Sequence, residues 1–307
     1  MKVADLLAAL PPRPLGAVPF PRHLLGAFRR KSITFCTGLT DEVTPVYWFQ
    51  SRSFTLDLRL PGRDDTALTA RQGWVGDTLW DAQRGEMSWS VARSYQPRNQ
   101  WPEPARLAFI GNSVLEFAPS GAYVEDWRQL AAPGPLLGLR LHLLREHATG
   151  TDHAMDGGLI VAGAHMALAR SRLPAIDAAL ATTPSLDHAL AQGIISAAQI
   201  ASYEVSVALD GAHVTHTTIP ARHGKRLLQG DFAIEADGQV HQHCTIDSMA
   251  CTLVYSLDVH ERCLPLSRRR PPRPGGKPGW RLNASIWSAM RGFCVEKAGL
   301  RIKSGVR

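Results

Sequence analysis

The sequence predicts an all-β, mainly antiparallel protein that forms a closed or nearly closed barrel, with one inserted helix and a basic C-terminal tail. Runs of alternating apolar and polar residues recur about every 8–12 residues, and turn residues such as Gly, Pro, Asn and Asp separate them. A long series of short strands joined by tight turns is typical of a β-sandwich or a β-barrel. Only residues 185–198 carry a clear helical repeat of apolar side chains.

The domain organisation follows from shifts in composition along the chain. Five prolines interrupt residues 1–30, which we interpret as a lead-in segment that packs on the outside of a domain. Strand patterning over residues 31–260 predicts the barrel domain. From residue 261 onward the chain becomes a Pro/Gly-rich linker, RRRPPRPGGKPG, followed by a basic tail that ends at residue 307.

Residues 53–60 give the clearest strand pattern, because every second side chain is apolar. One face comprises Phe54, Leu56, Leu58 and Leu60, and the other comprises Thr55, Asp57 and Arg59. Pro61 and Gly62 end the strand. The other strands predicted for the N-terminal half are at residues 32–37, 44–50, 86–94, 107–110, 114–117 and 122–128.

The second half repeats the strand pattern around one helix. Strands are predicted at residues 137–144 and 159–170, with the glycines at 150, 157 and 158 as the connection between them. Ser185 is the expected N-cap of the helix, because Asp187 follows in the first turn. Further strands are predicted at residues 203–209, 213–219, 232–236, 240–246 and 252–257.

The net charge of +7 is a property of the tail. Residues 268–307 contain 11 Lys and Arg residues and one Glu, a balance of +10, so the remainder of the chain is slightly acidic. A basic tail of this composition makes weak, nonspecific contacts with anions or nucleic acid, or it is simply a solvated extension. The sequence leaves both interpretations open.

Cysteine usage and hydropathy indicate a cytoplasmic protein. Five cysteines without a CxxC pair do not indicate a disulfide framework or a zinc site. The N-terminus lacks the pattern of a signal peptide, and no apolar run approaches the roughly 20 residues of a membrane span. We therefore expect no membrane span.

Several segments resemble the lipocalin-like, calycin-type barrel proteins of poorly characterised bacterial and fungal type. They are VYWFQSRSFTLDLRLP at residues 46–61, MSWSV at 87–91 and SVLEFAPSGAYVEDW at 113–127, with weaker matches at 157–172 and 214–224. The resemblance extends in patches from about residue 25 to residue 257. It implies a barrel that holds a ligand, and it implies no particular reaction.

Polar side chains within the strands form the candidate site. The catalytic candidates are Asp57, Glu116 and Glu125; the ligand-binding candidates are Trp48, Gln50, Arg59, Trp89, Tyr123, Trp127 and His165. If these faces point into the barrel, Arg59 must pair with a carboxylate, and burial raises the pKa of a spare carboxyl group. In the alternative, the charged faces meet water and Phe54, Leu56 and Leu58 face the core, because alternation alone does not identify the inner face.

Motifs for cofactor or metal chemistry are absent from the pattern. The chain has no GxSxG elbow, dinucleotide fingerprint or phosphate-binding loop. His241 and His243, two residues apart on one strand face, have the spacing of a pair of metal ligands, but this spacing is weak evidence and exposed polar alternation is the simpler explanation. We predict neither a metal nor a cofactor.

Three functions are compatible with these patterns. The first is the binding of a small, largely apolar or aromatic molecule in the barrel. The second is a lyase, hydratase or isomerase that uses a buried carboxylate and Arg59 for cofactor-independent acid/base chemistry. The third is an interaction protein that acts through its surface and its basic tail.

Overall fold

The computed structural model describes residues 1–98 and 103–264. The strands are β1 Gly26–Phe35, β2 Thr40–Asp41, β3 Val46–Gln50, β4 Phe54–Arg59, β5 Gln72–Asp81, β6 Glu86–Ser90, β7 Ala105–Ile110, β8 Ser113–Phe117, β9 Tyr123–Gln129, β10 Leu136–Glu146, β11 Asp152–Ala162, β12 His165–Arg170, β13 Glu204–Ala208, β14 His216–Thr217, β15 Asp231–Ile234, β16 Val240–Ile246 and β17 Met249–Glu261. The helices are α1 Val3–Ala9, α2 Pro174–Leu180, α3 Leu186–Ala191 and α4 Ala197–Ala201. The predicted linker and basic tail beyond residue 264 lie outside the described residues.

A closed eight-stranded antiparallel barrel forms the first half of the chain. The strand order is β1-β3-β4-β5-β6-β7-β8-β9, and β9 pairs back onto β1. The closing pairs run from Phe28 opposite Gln129 to Phe35 opposite Tyr123. Short β2 pairs with the C-terminal part of β1, at Ile33 and Thr34. The all-β, barrel-forming fold predicted from the sequence is therefore confirmed.

The remaining strands form a second antiparallel sheet in the order β14-β13-β12-β11-β10-β17-β16-β15. Residues 31–260, predicted as one barrel domain, are thus distributed over two sheets, of which only the first is the closed barrel. Helix α1 covers the second sheet, where Leu6 and Leu10 join its apolar core. None of the described helices has the length and the apolar character needed to cross a membrane.

Both faces of β4 are buried, which reconciles the two interpretations of its alternation. Cross-strand partners share a face, and Asp57 lies opposite Trp48 of β3 and Trp74 of β5 on the inner face of the barrel. On the outer face, Leu56 and Leu58 belong to the apolar core that also contains residues of the second sheet. The polar face therefore lines the barrel, and the apolar face forms the contact between the sheets.

Two glycines of the second sheet permit the close approach of neighbouring strands. Gly157 and Gly158 were expected in a connection, but they lie in the middle of β11. A Cβ atom on Gly158 would lie 2.6 Å from the ring of Phe54, and one on Gly157 would lie 2.4 Å from a backbone oxygen of Ala169. They mark tight packing, and the turn between β11 and β12 falls instead at Gly163.

The helical insertion between β12 and β13 consists of α2, α3 and α4 instead of one continuous helix. The Ser185 side chain accepts a hydrogen bond from the His188 backbone N–H, which confirms the predicted N-cap. Gly193 then adopts a left-handed conformation (φ +64°), and Ser196 caps α4. A glycine in this conformation ends a helix without steric cost.

Candidate functional site

The interior of the barrel holds a cluster of buried charged side chains. Asp57 is 2% exposed and Glu125 is 1% exposed; Arg59 and Glu116 are also buried. Strands β4, β8 and β9 position them, and Glu116 lies directly opposite Glu125 in the β8–β9 pair. The structure therefore brings together the four charged residues that the sequence analysis singled out.

Ion pairs organise this cluster around two arginines. Arg59 donates to Asp57 from Nε at 2.9 Å, and its Nη1 lies 3.9 Å from Glu125 Oε1. Arg30 of β1 donates to the same Glu125 oxygen at 2.7 Å and also contacts Asp41 at 3.0 Å. Sequence analysis missed Arg30, because we placed the start of the barrel at residue 31, within β1.

Glu116 is a carboxyl group of this cluster whose pKa is raised above neutrality. Its Oε2 accepts a hydrogen bond from the Trp127 indole N–H at 3.0 Å. Burial, and to a smaller extent repulsion from Glu125, raises the pKa of Glu116 to about 8. Glu116 is therefore a protonated acid inside the barrel that can donate as well as accept a hydrogen bond.

The neighbouring groups are shifted by the same environment. Burial raises the pKa of Asp57 although Arg59 opposes the effect. Burial alone would lower the pKa of Arg59, but Asp57 and Glu125 raise it overall, so this guanidinium stays charged. Tyr123, half-buried on β9, has its pKa raised by burial and by the two nearby glutamates.

A second, uncharged network lies along the same inner face. The Gln50 amide donates to Thr78 Oγ1 at 2.8 Å, and Gln50 Oε1 accepts the Trp48 indole N–H at 3.2 Å. The Trp89 indole N–H donates to Thr55 Oγ1 at 3.0 Å. These bonds fix the orientation of two of the tryptophans that line the barrel.

Aromatic rings connect the two networks. Phe28 stacks on Trp48 with ring centroids 4.7 Å apart, and Trp48 meets Trp127 edge to face at 5.8 Å. Trp74 and Trp89 are 5.5 Å apart. Aromatic contacts of this kind stabilise a rigid apolar lining.

Two polar atoms of this interior are buried without a hydrogen-bond partner among the described residues. They are Glu125 Oε2 and the indole N–H of Trp74. Buried polar groups are normally hydrogen-bonded, so such an atom indicates a place for water or a ligand. Sequence analysis did not identify Trp74, because the glycines on either side of it in QGWVGDTLWD disrupt the strand alternation.

His165 is not brought to this cluster. It begins β12 of the second sheet, and its ring Nδ1 accepts a hydrogen bond from the Asp210 backbone N–H at 3.3 Å. The other ligand-binding candidates, Trp48, Gln50, Arg59, Trp89, Tyr123 and Trp127, all lie on barrel strands, and cross-strand pairing places them on its inner face.

Comparison with known proteins found no family model, no curated protein and no solved structure that matches this chain.

Proposed function

We propose that this protein is a lipocalin-like barrel of the cytoplasm that binds a small, largely apolar or aromatic molecule beside Glu116 and Glu125. The observation that carries the proposal is the pair of unpartnered buried atoms, Glu125 Oε2 and the Trp74 indole N–H, within an aromatic lining. Such sites combine apolar walls with a few fixed polar groups that orient the ligand.

The polar groups suggest what the ligand carries. Protonated Glu116 and the Trp74 N–H are both donors, and Glu125 Oε2 is an acceptor on a carboxyl group whose other oxygen accepts from Arg30. A ligand with a hydroxyl or carbonyl group on an aromatic or terpenoid skeleton would complete these bonds. The tryptophans would cover the remainder of its surface.

Thermal unfolding in the presence of aromatic carboxylic acids and terpenoid alcohols tests this proposal. A compound that binds the folded barrel raises the melting temperature as its concentration increases. Trp74→Phe keeps the ring and removes the donor, so the affinity for such a compound should fall about five- to tenfold. The control is Tyr255→Phe, which removes a buried donor from a strand of the second sheet.

The proposal fails if no compound of the panel shifts the melting temperature. It also fails if Trp74→Phe and Tyr255→Phe lose the same affinity, since the effect would then be a general loss of buried hydrogen bonding.

Acid/base catalysis in the same interior is the second candidate function. A carboxyl group with a pKa of about 8 is suited to proton transfer near neutral pH, and Arg59 is suited to hold an oxyanion or a carboxylate. On this hypothesis the protein is a cofactor-independent lyase, hydratase or isomerase. Glu116→Gln should then abolish turnover while the affinity for the ligand is retained, because an amide cannot deliver the proton. An interaction function of the basic tail concerns residues outside those described.

A further inference from the structure

A pocket of about 300 Å³ lies outside the barrel, against the connection between β4 and β5. The barrel side contributes Leu60, Arg63 and Arg71, and the second sheet contributes the segment around β14 and the turn that follows it. Residues from that segment are Thr215, His216, Thr217, Pro220 and His223. The volume is in the range of small-molecule sites.

The ionisable side chains that line this pocket are all of basic type. Two arginines and two histidines contribute to the wall, and none of its lining residues is an aspartate or a glutamate. The neighbouring Arg222 forms an ion pair with Glu204 at 2.8 Å. Arg63 and Arg71 have no such carboxylate within ion-pair distance among the described residues.

Arg71 is the buried cation of the pocket, with 6% of its surface exposed. Its Nε and Nη2 donate to the Thr66 carbonyl at 3.1 and 2.8 Å, and its Nη1 donates to the Thr218 carbonyl at 2.8 Å. These three bonds use three of the five N–H groups of a guanidinium and hold it in a fixed orientation. Burial lowers the pKa of Arg71, and Tyr95 alone opposes that effect.

A buried positive charge is unfavourable without a counter-ion, and Arg71 has none among the described residues, so an anion in the pocket would stabilise it. The carbonyls of Thr66 and Thr218 accept hydrogen bonds but bring no full negative charge. An anion in the pocket would supply a negative charge and accept hydrogen bonds from the two remaining N–H groups of Arg71. Arginine binds phosphate and carboxylate groups through such paired hydrogen bonds.

Arg63 lies at the exposed side of the same pocket in an unusual backbone conformation. Its φ of +54° is in the left-handed region, which non-glycine residues seldom adopt. Its Nε donates to the Val43 carbonyl at 3.1 Å, which fixes the side chain beside the pocket. Backbone strain of this kind occurs at ligand-binding positions.

We propose that this pocket binds the phosphate group of a small phosphorylated organic molecule, with Arg63 and Arg71 as the phosphate ligands. The volume exceeds what a phosphate ion needs, and Leu60 and Pro220 provide apolar surface for the organic part. This site is separate from the barrel interior and requires no ligand there.

The test is a ³¹P NMR titration of the full-length protein with phenyl phosphate and with inorganic phosphate, at constant ionic strength. We expect saturable binding of one phenyl phosphate per chain, and weaker binding of inorganic phosphate, which lacks the apolar part. Arg63→Ala should weaken the binding of phenyl phosphate at least tenfold, and Arg63→Lys should recover part of the loss. Arg84→Ala is the matched control, because Arg84 is a 73% exposed arginine in the turn between β5 and β6.

Three results would overturn the proposal. The first is the absence of saturable phenyl phosphate binding to the wild-type protein. The second is an equal loss in the Arg63→Ala and Arg84→Ala variants, which would indicate nonspecific attraction to a basic protein. The third is a loss of phenyl phosphate binding in Trp74→Phe, which would place the compound in the barrel. Failure of barrel binding in the thermal test leaves this titration unaffected, so the two proposals fail separately.

Discussion

Replacing Glu116 with glutamine should make the stability of the protein less sensitive to pH. The pKa of Glu116 is raised from 4.5 to about 8 in the folded protein by burial and by Glu125. Between these two pH values the folded chain retains a proton that the unfolded chain releases. The free energy of unfolding therefore decreases as the pH rises from about 4.5 to about 8. The stabilisation contributed by the Glu116 proton is complete only below this pH range.

The magnitude follows from the two pKa values. A difference of one pH unit corresponds to about 1.4 kcal/mol, so the interval between 4.5 and about 8 corresponds to a loss on the order of 5 kcal/mol. Glutamine in place of Glu116 accepts the Trp127 indole N–H as before and carries no charge to bury. The variant should consequently gain stability relative to the wild type as the pH rises, by an amount of this order at pH 8.5.

Urea unfolding at pH values from 5.5 to 8.5 measures the difference. Glu42→Gln is the control, because Glu42 is an exposed carboxylate of the same barrel region. A difference between wild type and Glu116→Gln that stays constant across this range would refute the reasoning, since Glu116 would then ionise alike in both states.

Two further predictions concern other buried groups. Arg172→Met should lower the free energy of unfolding by about 3–5 kcal/mol in urea titrations. The reason is that the Arg172 guanidinium donates to four backbone carbonyls and stacks between two tyrosine rings. A loss below about 1 kcal/mol would contradict that role. Cys36 is exposed, whereas burial and the nearby Cys251 raise the pKa of Cys244 to about 12. Iodoacetamide at pH 7.5 should therefore modify Cys36 in the native protein and Cys244 only after unfolding, as peptide mass spectrometry would show; equal rates in the native state would contradict this.

Local alternation predicted the strands that end in clear turns. The segments at 53–60 and 122–128 coincide with β4 and β9 to within one or two residues. Strand β5 was missed, because Gly73 and Gly76 remove side chains from its pattern where the second sheet and the tryptophans approach closely. These glycines reflect tertiary packing, which a single strand does not reveal.

The residues of the site were predictable, but whether their strand face lines the barrel or meets water was not. Asp57 and Arg59 were recognised as one strand face, yet alternation is equally compatible with a face turned to water. The decisive feature is that Leu56 and Leu58 pack against a second sheet, which the sequence analysis did not separate from the barrel. Arg30 was missed because its partner, Glu125, lies 95 residues away in the chain.

The burial of β4 on both faces has a consequence for biosynthesis. All strands of the barrel precede residue 130, and the first strand of the second sheet begins at Leu136. The nascent chain therefore contains a complete barrel before any of the sheet that covers Phe54, Leu56 and Leu58 has been made. A barrel formed before that sheet would expose an apolar outer wall, and we expect the N-terminal half produced alone to aggregate.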